Sequence, residues 1–180
     1  MNDLDTYVYR YVADLSVCDA LTFAIKAHGT QVRKYTGEPY WTHPVEVAGY
    51  VSSVSDNPLL VQVALLHDTI EDTDVTYNDI RDHFGSEVAD GVQMLTDDET
   101  GNRAARKAAA IVRLSAAPSG IQTVKLADNI SNGRSILRYD PNFAIVYCRE
   151  LQKLAATMTR GSPVLQDLLA QVIAPVLQRS

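Results

Sequence analysis

The sequence predicts an all-α protein, and three observations carry that expectation. Apolar residues recur at helical spacing along much of the chain. The punctuation reads as helix starts and stops: Asn57-Pro58, Thr76-Tyr77-Asn78-Asp79, Phe84-Gly85 and Ser162-Pro163. No stretch alternates apolar with polar residues in the period of two that a half-buried strand shows. Gln122-Thr123-Val124-Lys125-Leu126 comes nearest, but it runs on into a helical pattern.

Taken in order, Leu15 to Ala27 carries Leu15, Cys18, Leu21, Phe23, Ala24 and Ile25 as an apolar face, with Gly29 as a stop. Residues 30–42 read as a loop that holds Arg33-Lys34, Gly37 and Pro39. Pro44 suits the first turn of a helix through Val45, Val47, Ala48 and Val51. Asn57 caps, and Pro58 opens, a helix from Leu59 to about Glu71. Its Val61, Val63, Ala64, Leu65 and Leu66 make it unusually apolar, so it is expected at the centre. Thr76 to Asp79 resembles a capping box with Asp in place of Glu, and it starts a short helix to Phe84. Gly85 breaks that helix and Ser86 opens the next, to about Leu95. Arg103 to Leu114 is Ala-rich and helical in propensity. Ile121 to Ile130 carries Lys125 and Asp128, and helices over Asn142 to Thr159 and Val164 to Leu177 complete the series. The last of these is expected to pack on its own domain.

The chain has 180 residues, which fits one domain with a proper core, and it shows no repeat, low-complexity tract or linker. No apolar run approaches the ~20 residues of a membrane span. Met1-Asn2-Asp3-Leu4-Asp5 lacks the basic-then-apolar pattern of a signal peptide. Cys18 and Cys148 have no metal-type spacing and read as buried small hydrophobes in a cytoplasmic protein. A net charge of −6 without a basic run argues against nucleic-acid partners. A small anionic ligand remains compatible, because it needs only local cations or a metal. An oligomer is possible but nothing in the sequence indicates one.

The chemistry concentrates in Leu65-Leu66-His67-Asp68-Thr69-Ile70-Glu71-Asp72. On a continuous helix, at about 100° per residue, His67, Asp68, Glu71 and Asp72 span roughly 140° and line one wall. Three acids crowded beside a histidine repel one another, and burying them uncompensated costs several kcal/mol. A divalent cation is the simplest compensation, since imidazole and carboxylate suit Mn²⁺, Fe²⁺ or Zn²⁺. Glu71 and Asp72 are then free to handle a proton and position water. The plain alternative is a solvated helix end rich in acids. Two further segments bear on the choice. Tyr40-Trp41-Thr42-His43-Pro44 places a histidine at a loop-to-helix junction, and Val124-Lys125-Leu126-Ala127-Asp128 places one acid in an apolar run. Alone, His43 reads as a packed or capping histidine and Asp128 as an ion-pair partner of Lys125 or Arg134. His28 reads as packed near a helix end, His83 as exposed, and Tyr40 and Trp41 as either pocket wall or core.

The order His, His-Asp, Asp resembles the signature of HD-domain phosphohydrolases. Arg33-Lys34 with Gly37-Glu38-Pro39-Tyr40, Thr42-His43-Pro44, Ala64 to Thr73, Phe84-Gly85 and Val124 to Asp128 resemble the hydrolase domain of RelA/SpoT-type alarmone enzymes. The likeness covers about residues 20 to 160, and the short chain resembles the stand-alone small alarmone hydrolases of the animal Mesh type. Thr96-Asp97-Asp98 and the basic segment after it resemble that subgroup as well. The resemblance implies a single HD-domain helical bundle over residues 1–180. It implies one divalent metal, typically Mn²⁺, on His43, His67, Asp68 and Asp128, with Glu71 and Asp72 as catalytic acids. It puts Arg33 and Lys34 near the nucleotide base, Arg103 (with Arg106 or Lys107) on the pyrophosphate, Asn132 near the sugar or metal, and Tyr147 in the nucleoside pocket. Segment 129–134 departs from the pattern, with Ser131 and Gly133 where bulkier residues are usual. The implied reaction is hydrolysis of the 3′-pyrophosphate of (p)ppGpp, leaving GDP or GTP. Alternatives are an HD enzyme acting on (p)ppApp or the 2′-phosphate of NADPH, and a module that binds the alarmone without cutting it.

Overall fold

Helix follows helix through residues 3–97 and 101–178, which the computed structural model describes. They are α1 (Asp3–His28), α2 (Thr42–Ser52), α3 (Pro58–Leu66), α4 (Thr69–Asp72), α5 (Tyr77–Phe84), α6 (Ser86–Leu95), α7 (Arg103–Ala116), α8 (Ser119–Tyr139), α9 (Pro141–Ala155) and α10 (Pro163–Leu177). Met1, Asn2 and Asp98, used in the sequence reading, lie outside the described residues. No strand forms among the described residues; one isolated antiparallel bridge, Val32 to Pro39, ties the α1–α2 loop together. Gly37, at φ 71°, makes the turn inside it, in a conformation that suits glycine. No described helix is long and apolar enough to cross a membrane.

The starts follow from local chemistry. Asn57 accepts from the Leu59 N–H with Pro58 at the first position, and Thr76 and Asp79 form the reciprocal capping box. α8 stops where Pro141 follows, and the Asp140 carboxylate caps α9 by accepting from Phe143 N–H. The apolar α3 is central, with α1, α2, α6 and α8 packed around it and Val63, Ala64 and Leu66 fully buried. α8 is a second axis against α2, α9 and α10. α10 lays Leu165, Leu169 and Ile173, one turn apart, into this core, so it covers its own domain as expected.

Several details differ from the sequence reading. α1 begins at Asp3 rather than near Leu15, and its inward stripe is Val17, Ala20, Leu21, Ala24 and His28. Leu15, Cys18 and Ile25 of the expected face point outward, because small alanines let α3 approach closely and so decide which face is buried. Cys18 is thus exposed, and only Cys148 is the buried hydrophobe expected. The helix expected from Leu59 to Glu71 breaks at His67-Asp68, α8 extends well beyond Ile130, and α9 ends at Ala155, short of Thr159.

Candidate metal centre and active site

Three elements bring the ionisable residues together. His43 enters from the first turn of α2, where the Thr42 hydroxyl donates to Pro39 O at 2.8 Å and His43 N–H donates to Tyr40 O at 2.9 Å. His67 and Asp68 occupy the break after α3. There the His67 Nδ1–H donates to Ala64 O at 2.8 Å, and the Thr69 hydroxyl donates to Leu66 O at 2.7 Å. Side chains thus take carbonyls that a continuing helix would have used. Asp128 comes from the middle of α8, buried like both histidines.

His43 Nε2 lies 3.3 Å from Asp128 Oδ1 and 3.5 Å from Asp68 Oδ2. His67 Nε2 lies 3.1 Å from Asp68 Oδ1 and 3.8 Å from Asp128 Oδ1. One ligand atom from each of His43, His67 and Asp128 falls within 4.8 Å of the others. Neither Nε2 has a hydrogen-bond partner, although both are buried and close to carboxylates. The other nitrogen of each ring is engaged, His67 Nδ1 by a carbonyl that can only accept and His43 Nδ1 by Ser131 Oγ at 2.9 Å. Two imidazole Nε2 atoms therefore meet the Asp128 carboxylate in one cluster, and an Asp68 oxygen stands within 3.5 Å of each ring. These donors fit a divalent metal of the imidazole- and carboxylate-binding kind.

Without a cation, a proton balances part of the same negative charge. Burial opposes a proton on His67, yet Asp68 and Asp128 outweigh it and raise the imidazole to about 10. Burial would raise Asp68, but His67 and His43 hold it well below the ordinary carboxylate range. Against the same penalty, Lys125 and the two imidazoles hold Asp128 down. Lys125 Nζ sits 2.8 Å from Asp128 Oδ2, so the ion pair foreseen for an isolated Asp128 coexists with the cluster.

Glu71 and Asp72 stand on α4 at the wall of a cavity of about 210 Å³. Glu71 Oε2 accepts from Asp97 N–H at 2.9 Å, and the Asp97 carboxylate is held by Arg113 and Lys107. Tyr40 Oη is 2.7 Å from Asp68 Oδ2 and 3.1 Å from Asp72 Oδ2, so it is a pocket wall. Burial pushes the Glu71 carboxyl up against the Asp97 N–H, and burial with the Asp68 charge does the same to Asp72. Carboxyls raised in this way are closer to exchanging protons near neutrality. The cavity is smaller than the ~300–1,000 Å³ usual for a whole small-molecule ligand, so it suits the reacting end of one.

The remaining expected residues are distributed unevenly. Asn132 and Tyr147 line the cavity, and Asn132 Nδ2 donates to Asp128 Oδ1. Burial pushes the Tyr147 phenol up. Arg103 is bound by two hydrogen bonds to Glu150, which lines the cavity, and lies over the Phe143 ring. Arg33 and Lys34 do not line the cavity. Arg33 is bound to Glu46 and Ser131, and Lys34 Nζ lies 5.0 Å over the Tyr35 ring. His28 is packed as expected, joined to Gln31, whose amide donates to Asp72 O at 2.6 Å, and His83 is exposed. Sequence reasoning missed Gln31, Glu46 and Arg113 as parts of the site; it had Asp97 only within a family likeness and Lys125 only as an ion-pair partner for Asp128.

The sequence profile of the HD domain matches residues 20–154. Human guanosine-3′,5′-bis(diphosphate) 3′-pyrophosphohydrolase MESH1 is 37% identical over 126 residues, 68% of this chain and 70% of that protein. The much longer guanosine-3′,5′-bis(diphosphate) 3′-pyrophosphohydrolase of Aquifex aeolicus is 35% identical over 120 residues, 65% of this chain and 17% of its own length. Among solved structures, a metazoan ortholog of SpoT that hydrolyzes ppGpp superposes with a TM-score of 0.83 at 25% identity, covering 92% of this chain and 96% of that one.

Proposed function

From the premise that this chain belongs to the HD-domain family, we propose that it is a metal-dependent phosphohydrolase that removes the 3′-pyrophosphate of (p)ppGpp. The observation that carries the reading is the pair of buried, unpartnered imidazole Nε2 atoms converging with two carboxylates. His43, His67, Asp68 and Asp128 would hold one divalent ion, Mn²⁺ by family likeness. The whole of residues 1–180 is read as one hydrolase domain, working in the cytoplasm, where its thiols Cys18 and Cys148 stay free.

When bound, the cation supplies Lewis-acid charge to a phosphate oxygen or to water. The chain's own residues do the rest. Water attacks the phosphorus next to the ribose 3′ oxygen, the bond to that oxygen breaks, and pyrophosphate leaves. Glu71 and Asp72 take the proton from water and return one to the 3′ oxygen, so GDP or GTP is released neutral at that hydroxyl. Asp97 N–H aims Glu71 and Tyr40 Oη aims Asp72. Lys107 and Lys125 at the cavity offset repulsion between the polyphosphate and the acids, and Arg103 joins them once it exchanges Glu150 for phosphate. Asn132 and Tyr147 take the nucleoside side of the cavity, and Lys34 the open side of the loop above.

The test is turnover of ppGpp, ppApp and NADPH by the purified, Mn²⁺-loaded protein. ppGpp is expected to give pyrophosphate and GDP. Folded, metal-loaded protein that releases none would overturn the substrate. Glu71→Gln should lower kcat by about 10²–10⁴-fold while Mn²⁺ stays bound. Asp68→Ala should lose ion and turnover together.

A further inference from the structure

Arg33, Glu46 and Ser131 form a chain that ends on His43, and nothing in the proposed chemistry uses it. His43 Nδ1 is 2.9 Å from Ser131 Oγ, and Ser131 Oγ is 2.8 Å from Glu46 Oε2. Arg33 Nη1 reaches the same Glu46 oxygen at 3.2 Å, and its Nη2 reaches Ser131 Oγ at 3.4 Å. The donors can be assigned by counting protons. The guanidinium only donates and the carboxylate only accepts, so the single Ser131 proton goes to Glu46. Ser131 Oγ then accepts from His43, which puts a proton on Nδ1 and leaves Nε2, facing Asp68 and Asp128, as the nitrogen that would meet a cation.

We infer that Ser131, backed by Glu46 and Arg33, is a positioning relay for His43 that sets its tautomer and its aim at the cation. The inference deepens the proposed function and rests on the reading of His43 as a metal ligand. Its geometry is economical. Ser131 lies three residues after Asp128 on α8, so one helix holds the His43 ring at both nitrogens, Asp128 Oδ1 standing 3.3 Å from Nε2. Ser131 is 1% exposed, so its hydroxyl has no water to substitute for either partner. Arg33 has a side chain only 15% exposed and a guanidinium already committed to Glu46 and Ser131. In this chain it serves the ligand, not the nucleotide base. Groups placed in this way behind a metal-binding histidine typically govern 10–100-fold in metal affinity.

The experiment measures Mn²⁺ affinity by EPR of the free ion, on full-length, metal-stripped protein. Ser131→Ala should weaken binding by about 10–100-fold, Ser131→Thr should restore it by keeping the hydroxyl, and Glu46→Gln should weaken it. Arg33→Ala should also weaken Mn²⁺ binding; a base-reading Arg33 would instead raise KM for the nucleotide and leave Mn²⁺ affinity unchanged. Nitrogen NMR of the metal-free protein in mildly alkaline buffer reads the tautomer directly. His43 should hold its proton on Nδ1 in the wild type and populate both tautomers in Ser131→Ala, which a merely structural serine would not alter. Wild type that binds Mn²⁺, with a Ser131→Ala variant that binds it equally and keeps the tautomer, would overturn the relay alone. Wild type that takes up no Mn²⁺ would overturn the metal reading and the relay with it.

Discussion

His67 meets two demands that conflict. In the metal-free protein Asp68 and Asp128, working against burial, hold its proton up to about 10. A metal ligand must be neutral at the donor nitrogen. Nδ1–H is spent on Ala64 O, so the ion and the proton compete for Nε2. The sign follows. Below about 10 each ion displaces a proton, so Mn²⁺ affinity should rise with pH, by about tenfold per unit where one proton is exchanged. Calorimetry at pH 6, 7 and 8, in buffers of different ionisation enthalpy, measures both the affinity and the protons released. A flat affinity with no proton release would mean that His67 is neutral without the ion. At this scale the sequence was informative where residue type alone suggests chemistry. His67-Asp68 beside Glu71-Asp72 is visible in one segment, and the likeness to a known pattern adds His43 and Asp128. Glu46 was not legible, nor were the roles of Ser131 and Asp97, because a serine or an acid acquires its role only from a partner many residues away.

The break between α3 and α4 turns the site residues toward the cavity, and Thr69 secures it. Its hydroxyl donates to Leu66 O inside the protein, where Thr69 itself is fully buried. Thr69→Val keeps the shape and removes the donor. Leaving that carbonyl without its partner should cost about 1–3 kcal/mol, seen as a lower urea midpoint with an unchanged slope. Thr69→Ser should recover most of the loss, and a valine variant as stable as wild type would show that the carbonyl has another partner. The existence of nearly every helix was legible, since caps and apolar spacing are local signals. The break was not, because Leu65 to Asp72 consists of residues that all tolerate helix and the stop is made by side chains bonding backwards to carbonyls. The face of α1 was misread for a related reason. Leu15 and Ile25 are the larger apolar residues, but Ala20 and Ala24 are the ones that allow close approach of α3.

At the scale of the whole molecule, the site joins elements far apart in the chain: α2 brings His43, the end of α3 brings His67 and Asp68, and α8 brings Asp128. α3 and α8 are also the two axes of the core, so an ion bound between them acts on the packing of the whole domain. An ion that binds only the folded chain stabilises it by about 2.7 kcal/mol at a free concentration one hundred times Kd. For a domain of this size, each kcal/mol moves Tm by about 2–4 °C. Mn²⁺ should therefore raise Tm by about 5–10 °C, and a chelator should reverse it. The Asp68→Ala variant should show little shift, having lost a ligand and left the two imidazoles facing Asp128 alone. The magnitude separates two uses of the same acids. Surface carboxylates that merely attract Mn²⁺ through the net charge of −6 would give a small rise that added salt removes, and it would persist in Asp68→Ala. Ligands converging between two core helices give a rise that salt leaves largely intact and that the single substitution abolishes.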